Sequence, residues 1–385
     1  MAIHSRRAGA EAAAAAQRDP SAKLLIVFCS IHYEAAEVLD GVCSVTADDV
    51  LVVGGTSMGE IARNGPGIED IGIGAAVVVL ALGGPGFTVK TSVVRQASAD
   101  RRESGAAAAS AIAGIDAPHK ALLMIVDGLT REQHELVRGA YSVLGASVPM
   151  VGGCSADDVQ YVLTNQFHGT GAGVERLVDS IVAVGLGSNA SIGIGIAHGW
   201  VKQGEPMVVT SSDGGEVFLL DDEPAVDVYL RRFGADRSLL DDGDAFRAAV
   251  FEHPLGMSRR SGEDIRVVHS VDCDRGSLLC LADVPQGALV WTMTTEADAL
   301  VAAASHSCEM AIDGLGGRAP LGLAIFDCGA RKLKLGSENI RAELAAIEAA
   351  AAGAPFGGFY TFGEIARTRG SRGMHHLTVV TLALA

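Results

Sequence analysis

Twice before residue 200, an apolar run enters the same nine-residue turn. The first copy is Val53-Gly54-Gly55-Thr56-Ser57-Met58-Gly59-Glu60-Ile61 and the second is Val151-Gly152-Gly153-Cys154-Ser155-Ala156-Asp157-Asp158-Val159, aligned without a gap. What precedes each turn also repeats: a strand-length apolar run (24–29, then 121–127), a stretch of helical spacing (31–42, then 131–145) and a short strand (50–53, then 148–151). Two strand-like runs follow each turn, at 70–82 and 87–95 and again at 177–187 and 191–198. A helix is expected over 98–114 between the copies. A period of about a hundred residues is too long for a solenoid and indicates a duplicated half-domain.

A divergent third copy closes the chain. A strand at 321–327 and a helix at 337–352 lead into Gly357-Gly358-Phe359-Tyr360-Thr361-Phe362-Gly363-Glu364-Ile365, and a terminal strand is expected over 375–385. Between the second and third copies, strands are expected at 207–211, 217–220, 265–272, 277–281 and 288–293. Helices are expected at 223–233, where Gly234 supplies the stop, and at 296–313. Residues 235–262, polar and broken by Gly243, Pro254 and Gly256, suggest a long surface loop. The expected fold is therefore α/β, with two α/β domains carrying mixed sheets. The N-terminal domain is a duplicated β-α-β-turn-β-β unit. The expected boundaries are a flexible N-terminal tail over 1–22, one domain over 23–205 and a second over 206–385.

With 385 residues, 49% of them hydrophobic, the chain can bury two ordinary cores. A formal net charge of −16 repels nucleic-acid phosphates and anionic lipid, and the basic residues form short pairs rather than a stripe. No nucleic-acid or membrane partner is expected. The apolar run at 71–82 contains two glycines and is too short to span a bilayer. Arg6-Arg7 is followed by an alanine-rich stretch interrupted by Glu11, Arg18 and Asp19, which lacks the apolar core of an export signal. Seven cysteines without a CxxC suggest free thiols in the cytoplasm and no zinc or other metal site.

The turns carry the chemistry. Glycine pairs at the carboxyl ends of strands allow amide groups to form an anion-binding nest, and open α/β sheets bind ligands at such ends. Tight turning with close packing explains the same glycines, and both readings stay open. Glu60 and Glu364 occupy equivalent places, either to hold a ligand's ammonium or to cap a helix start. The expected ligand-binding set is Gly54, Gly55, Thr56, Ser57, Glu60, Gly152, Gly153, Cys154, Ser155, Asp157, Tyr360, Glu364 and His375, converging on one cleft between the domains.

Three other constellations could carry chemistry. Gly55-Thr56-Ser57-Met58-Gly59 satisfies G-x-S-x-G, the serine hydrolase elbow, but the second copy puts Asp157 at the second glycine. Cys154 in a nest could be an activated thiolate, or an inert buried thiol that adjacent carboxylates keep protonated. His168 and one of the neighbours His375 and His376 are candidate bases or haem ligands, against a structural role for each. No P-loop, HExxH or dinucleotide fingerprint is present, and Gly72-x-Gly74 and Gly193-x-Gly195 lack the third glycine. No catalytic residues are assigned, so binding is favoured over turnover.

Six segments in order resemble the FIST proteins: VVGGTSMGEI (52–61), LMIVDGLT (123–130), VPMVGGCSADD (148–158), GGEVFLLDDEPAVDVYLRRFG (214–234), GLAIFDCGAR (322–331) and FGGFYTFGEI (356–365). The resemblance covers about 25–385 and implies N-terminal and C-terminal FIST domains. It further implies an intracellular sensory module that binds a small metabolite, such as an amino acid or similar carboxylate, without a cofactor. Signalling would pass through a separate partner such as a histidine kinase. Some members bind haem and sense nitric oxide, which is the alternative. Where the family's closing motif pairs histidine with asparagine, this chain reads Met374-His375-His376-Leu377-Thr378.

Overall fold

The computed structural model describes residues 2–62, 76–259, 262–368 and 373–385. The first part of the strand expected at 70–82, with Gly72-x-Gly74, lies outside them. The chain divides into two compact units. One comprises 1–197, 301–374 and 378–385; the other comprises 198–300 with 375–377.

In the first unit each copy has the same nucleus. Copy one contains α1 (Ala2–Ala16), β1 (Ala22–Ser30), α2 (Ala35–Cys43), β2 (Leu51–Ser57), β3 (Glu60–Ala62), β4 (Val77–Gly83) and β5 (Phe87–Arg95). Copy two contains α3 (Arg101–Ala108), β6 (His119–Val126), α4 (Gln133–Leu144), β7 (Met150–Cys154), β8 (Gln166–Thr170), β9 (Gly173–Leu177), β10 (Ser180–Ser188) and β11 (Ile192–Ala197). Copy three contains β12 (Gly322–Cys328), α5 (Gly329–Ala350), β13 (Phe356–Thr361), β14 (Glu364–Arg367) and β15 (Val379–Leu384). The helix Ala297–Asp313 leads into it.

The central pairings are identical in kind. β1 runs parallel to β2 and antiparallel to β4. β6 does the same with β7 and β10, and β12 with β13 and β15. The strand after each turn then crosses to another copy: β3 pairs with β13, β8 with β2, and β14 with β7. Each copy thus closes an edge of another's sheet, in a cycle. Alternate strand faces fill a shared core that includes Phe28, Ile125, Phe326 and Phe359. Phe28 stacks on Phe359 at 4.2 Å between ring centroids.

The parallel pairings fix how the turns correspond. Gly54 lies opposite Val27, Gly152 opposite Met124 and Gly358 opposite Ile325. A Cβ at these glycines would stand 1.8, 2.0 and 1.8 Å from those carbonyl oxygens, so each glycine is required by close backbone approach. Gly358, and not Gly357, is therefore the counterpart of Gly54.

Residues 1–22, expected to be a flexible tail, contain α1, which packs on α2. A Cβ on Gly9 would meet the Val38 carbonyl oxygen at 2.1 Å, and one on Gly41 the Arg6 carbonyl oxygen at 2.0 Å. α3 and α4 cross through the same device, with Gly105 against Leu136 and Gly139 against Arg102. The helix α1 is thus the first copy's version of α3. Its alanine-rich sequence has no strong apolar stripe because small residues, not large ones, make this contact.

The second unit is an antiparallel sheet. Its order is Gly262–Arg266, Leu255–Arg259, Leu289–Thr294, Val201–Asp213, Glu216–Leu220, Ser277–Cys280 and Val268–Asp272. Its core, including Met207, Val217, Tyr229, Phe246 and Met257, is separate. The expected loop at 235–262 instead holds the helix Gly243–Glu252 and the strand Leu255–Arg259. Asp242 caps that helix by accepting from the amides of Asp244 and Ala245, and Phe246 and Val250, four residues apart, are buried. Among the described residues no helix is long and apolar enough to cross a membrane.

Candidate functional site

The three turns meet through one hydrogen bond used three times. The amide of Met58 donates to the carbonyl of Tyr360 at 3.0 Å, that of Ala156 to Thr56 at 2.9 Å, and that of Phe362 to Cys154 at 3.2 Å. A second set runs alongside: Tyr360 to Gly59 at 2.8 Å, Thr56 to Asn165 at 3.0 Å and Cys154 to Gly363 at 2.8 Å. These amides are spent on protein carbonyls, which removes them from the anion nest expected of the glycine turns. Convergence of the turns therefore occurs, and inside the first unit.

The second set also corrects the gapless alignment. Asn165 receives the bond that Gly59 and Gly363 receive, so residues 157–164 are an insertion in the second copy. Gln166, next in sequence, opens β8 as Glu60 opens β3 and Glu364 opens β14. It lies opposite Gly55 as Glu60 lies opposite Phe359 and Glu364 opposite Gly153. The buried counterpart of the two glutamates is Gln166, and Asp157 and Asp158 belong to the inserted loop. Asp157 holds that loop by accepting from the amides of Tyr161, Val162 and Leu163 at 2.9, 2.6 and 2.9 Å. Tyr161 stacks on Phe362. Thr56 closes the loop's neck, its hydroxyl accepting from the Asn165 amide at 3.0 Å.

Ser57 donates to Glu60 Oε1 at 2.5 Å and Thr361 to Glu364 Oε1 at 2.7 Å, while the amides of Gly59 and Gly363 each donate to the same hydroxyls at 3.2 Å. All four side chains are buried. Both glutamates start strands, which removes the helix-capping explanation. The strand-to-helix geometry of a nucleophile elbow is absent at Ser57 for the same reason: β2 leads into β3. Burial pushes both carboxyls up to about 8, against the hydroxyl bonds, which favour ionisation.

The two glutamates differ at the second oxygen. Glu364 Oε2 accepts from the amide and hydroxyl of Thr378 at 3.1 and 2.8 Å. Glu60 Oε2 has no hydrogen-bond partner among the described residues, nor do the buried Ser155 Oγ and Gln166 Oε1. An unpaired buried polar atom costs about 1–3 kcal/mol, so three on these turns, two of them at the equivalent residues Glu60 and Gln166, need an explanation.

Beside the first turn stands Lys332, whose ammonium donates to the Met58 carbonyl at 2.5 Å and lies 5.6 Å from the centre of the Tyr360 ring. Burial lowers its pKa, opposed by the charges of Asp158 and Glu60. Behind Tyr360 is a fully buried cluster. Arg331 donates to Asp327 Oδ1 and Glu343 Oε1, both at 2.7 Å, and the Tyr360 hydroxyl donates to Glu343 Oε2 at 2.8 Å. Two carboxyls face one guanidinium, and burial together with Asp327 raises Glu343 to about 8. Sequence reading missed Lys332, Arg331, Glu343 and Gln166. The four-residue spacing of Asp327 and Arg331 across a strand end was the available signal.

The remaining expected residues fall as follows. Gly54, Gly55, Gly152 and Gly153 lie within β2 and β7. Cys154 is buried, and its thiol is pushed far up by burial and the charges of Glu364 and Asp127, so it is no thiolate. His168 makes a 3.0 Å contact with Thr91 Oγ1, and burial lowers its pKa. The terminal strand starts at Val379, not at His375; His375, half-buried, and His376, buried, belong to the second unit.

A family model of the FIST N domain matches residues 23–223, and one of the FIST C domain matches 225–367. The chain belongs to the FIST family. FIST domains are associated with sensing small ligands in signal transduction. The FIST C match takes in strands of the second unit and the third copy's turn in the first, so the matched segments and the compact units divide the chain differently. No curated protein matches this FIST chain.

Proposed function

We propose that this FIST protein is a sensor that binds a small anionic or zwitterionic metabolite, an amino acid or similar carboxylate, where its three turns meet. The observation that carries the reading is the fully buried Glu60 carboxyl, one oxygen of which has no partner among the described residues, beside the half-buried ammonium of Lys332. Desolvated polar groups of this kind stabilise a fold poorly and recognise a ligand well, because a ligand of the wrong chemistry leaves them unpaired. Lys332 is the anchor for a ligand carboxylate. Its ammonium has three donors, and the Met58 carbonyl takes one.

Native mass spectrometry of the purified protein, then of protein exposed to a mixture of amino acids and small carboxylic acids, tests the reading. Retention of one compound, lost in Lys332→Met, supports it. A protein that retains nothing from either source overturns it. A Soret absorption band on purification would instead favour the haem reading.

A further inference from the structure

The same position in the three copies is occupied by Ala76, Ser180 and Thr378. Each carbonyl accepts an amide from the end of the copy's first strand: Ala76 from Ser30 at 3.2 Å, Ser180 from Asp127 at 3.1 Å and Thr378 from Cys328 at 3.1 Å. The strand registers agree, since Val79, Ala183 and Thr381, three residues on, lie opposite Val27, Met124 and Ile325. Thr378 supplies two donors to Glu364 Oε2. Ala76 has no hydroxyl to offer Glu60. Its amide lies close enough to favour the ionised form of Glu60, yet Oε2 makes no hydrogen bond.

We propose that the place filled at Glu364 by the Thr378 hydroxyl is, at Glu60, a subsite for a ligand's primary ammonium group, because residue 76 is alanine. The inference rests on the proposed ligand-binding function and specifies which end of the ligand faces which turn. Glu364 shows the geometry of a satisfied carboxyl: one oxygen takes a hydroxyl from its own turn and the other takes donors from the strand behind. At Glu60 the first half is present through Ser57, and of the second half only the Ala76 amide stands near, with no hydroxyl beside it. A donor is what Oε2 lacks among the described residues, and an ammonium supplies both the hydrogen bond and the positive charge that lets a buried carboxyl ionise. The ligand's carboxylate then lies toward Lys332, the cation beside the same turn. A ligand with an ammonium and a carboxylate satisfies both ends, which points to amino acids over simple carboxylic acids.

The test compares wild type with Ala76→Ser, which returns a hydroxyl to this position, and with Ala76→Thr, which copies residue 378. The probes are the protein amino acids, applied as a mixture under native mass spectrometry, then singly in calorimetry against their deaminated acids. Wild type is expected to retain an amino acid and to bind the deaminated acid at least tenfold more weakly, the loss expected for one charged hydrogen bond. Ala76→Ser is expected to bind that amino acid at least tenfold more weakly while melting no lower than wild type. Equal binding of the deaminated acid, or unchanged binding in a folded Ala76→Ser protein, overturns the ammonium subsite and leaves the wider ligand reading standing. A wild-type protein that retains carboxylic acids but no amino acid also overturns it. If Ala76→Ser fails to fold, Glu60→Gln decides: it loses the negative charge that pairs with an ammonium, so amino-acid binding must fall while deaminated-acid binding does not.

Discussion

Gln166 lies opposite Gly55 in the register at which Glu364 lies opposite Gly153. The three copies thus carry two carboxyls and one carboxamide at a single buried position. Gln166→Glu would bury a third acid beside Ser155. Because a buried carboxyl favours its neutral form, this variant should lose stability as the pH rises from about 5 to 8 more steeply than wild type. Urea unfolding at several pH values measures it, and an unchanged slope would show that residue 166 reaches water.

The glutamates already present set a pH dependence. Glu60 and Glu364 have folded values near 8 against an ordinary 4.5. Between those values the folded state holds protons that the unfolded chain has released. Their contribution to stability is therefore whole below about pH 4.5 and is lost as the pH rises through about 8. Glu364→Gln, whose carboxamide does not titrate, should flatten part of this decline. A decline of unchanged steepness in that variant would count against the buried acid.

Arg331 is the counter-charge for Asp327 and Glu343. Arg331→Met fills similar volume but strands two buried carboxyls, and should destabilise by about 3–5 kcal/mol, with the loss largest above neutral pH. Equilibrium denaturation checks the size. A loss below 1 kcal/mol would mean the two acids share protons without needing the guanidinium.

Gly358→Ala tests the correspondence of the turns. With a carbonyl oxygen 1.8 Å from the new methyl, a loss of about 3 kcal/mol is expected, matching Gly54→Ala and Gly152→Ala. Gly357→Ala meets only the movable side chains of Leu80 and Val78 and should cost less. The reverse ranking would make Gly357 the counterpart of Gly54.

The seven cysteines are free, and only Cys273 is exposed. Alkylation of the native protein should label Cys273 first. Denaturation without reductant should then expose all seven to the reagent, as mass spectrometry would show.

Local sequence was enough wherever the signal was periodic or repeated. The strands of each nucleus, the helices 131–145 and 296–313, the duplication and the equivalence of Glu60 with Glu364 all follow from spacing, since an apolar run of strand length has few alternatives. The strands β8 and β9 gave no such signal: Gln166, His168, Thr170, Glu175 and Arg176 are polar, and pairing with β2 rather than apolarity makes them strands. The helix α5 begins before the 337 expected from spacing: Gly336, at φ 65° and ψ 171°, breaks it, and its first turns lie before that break.

Sequence by itself determined that three related strand-helix-strand units exist and that each ends in a turn with a polar side chain. Tertiary structure alone decided which residues of the second turn correspond to those of the other two. The inserted loop at 157–164 is invisible to residue matching, because aspartate resembles glutamate. Only hydrogen-bond register distinguishes them: an amide reaches a carbonyl at one position along a strand and not at the next. The same register separates Glu364, satisfied by Thr378, from Glu60, whose second oxygen has no partner among the described residues.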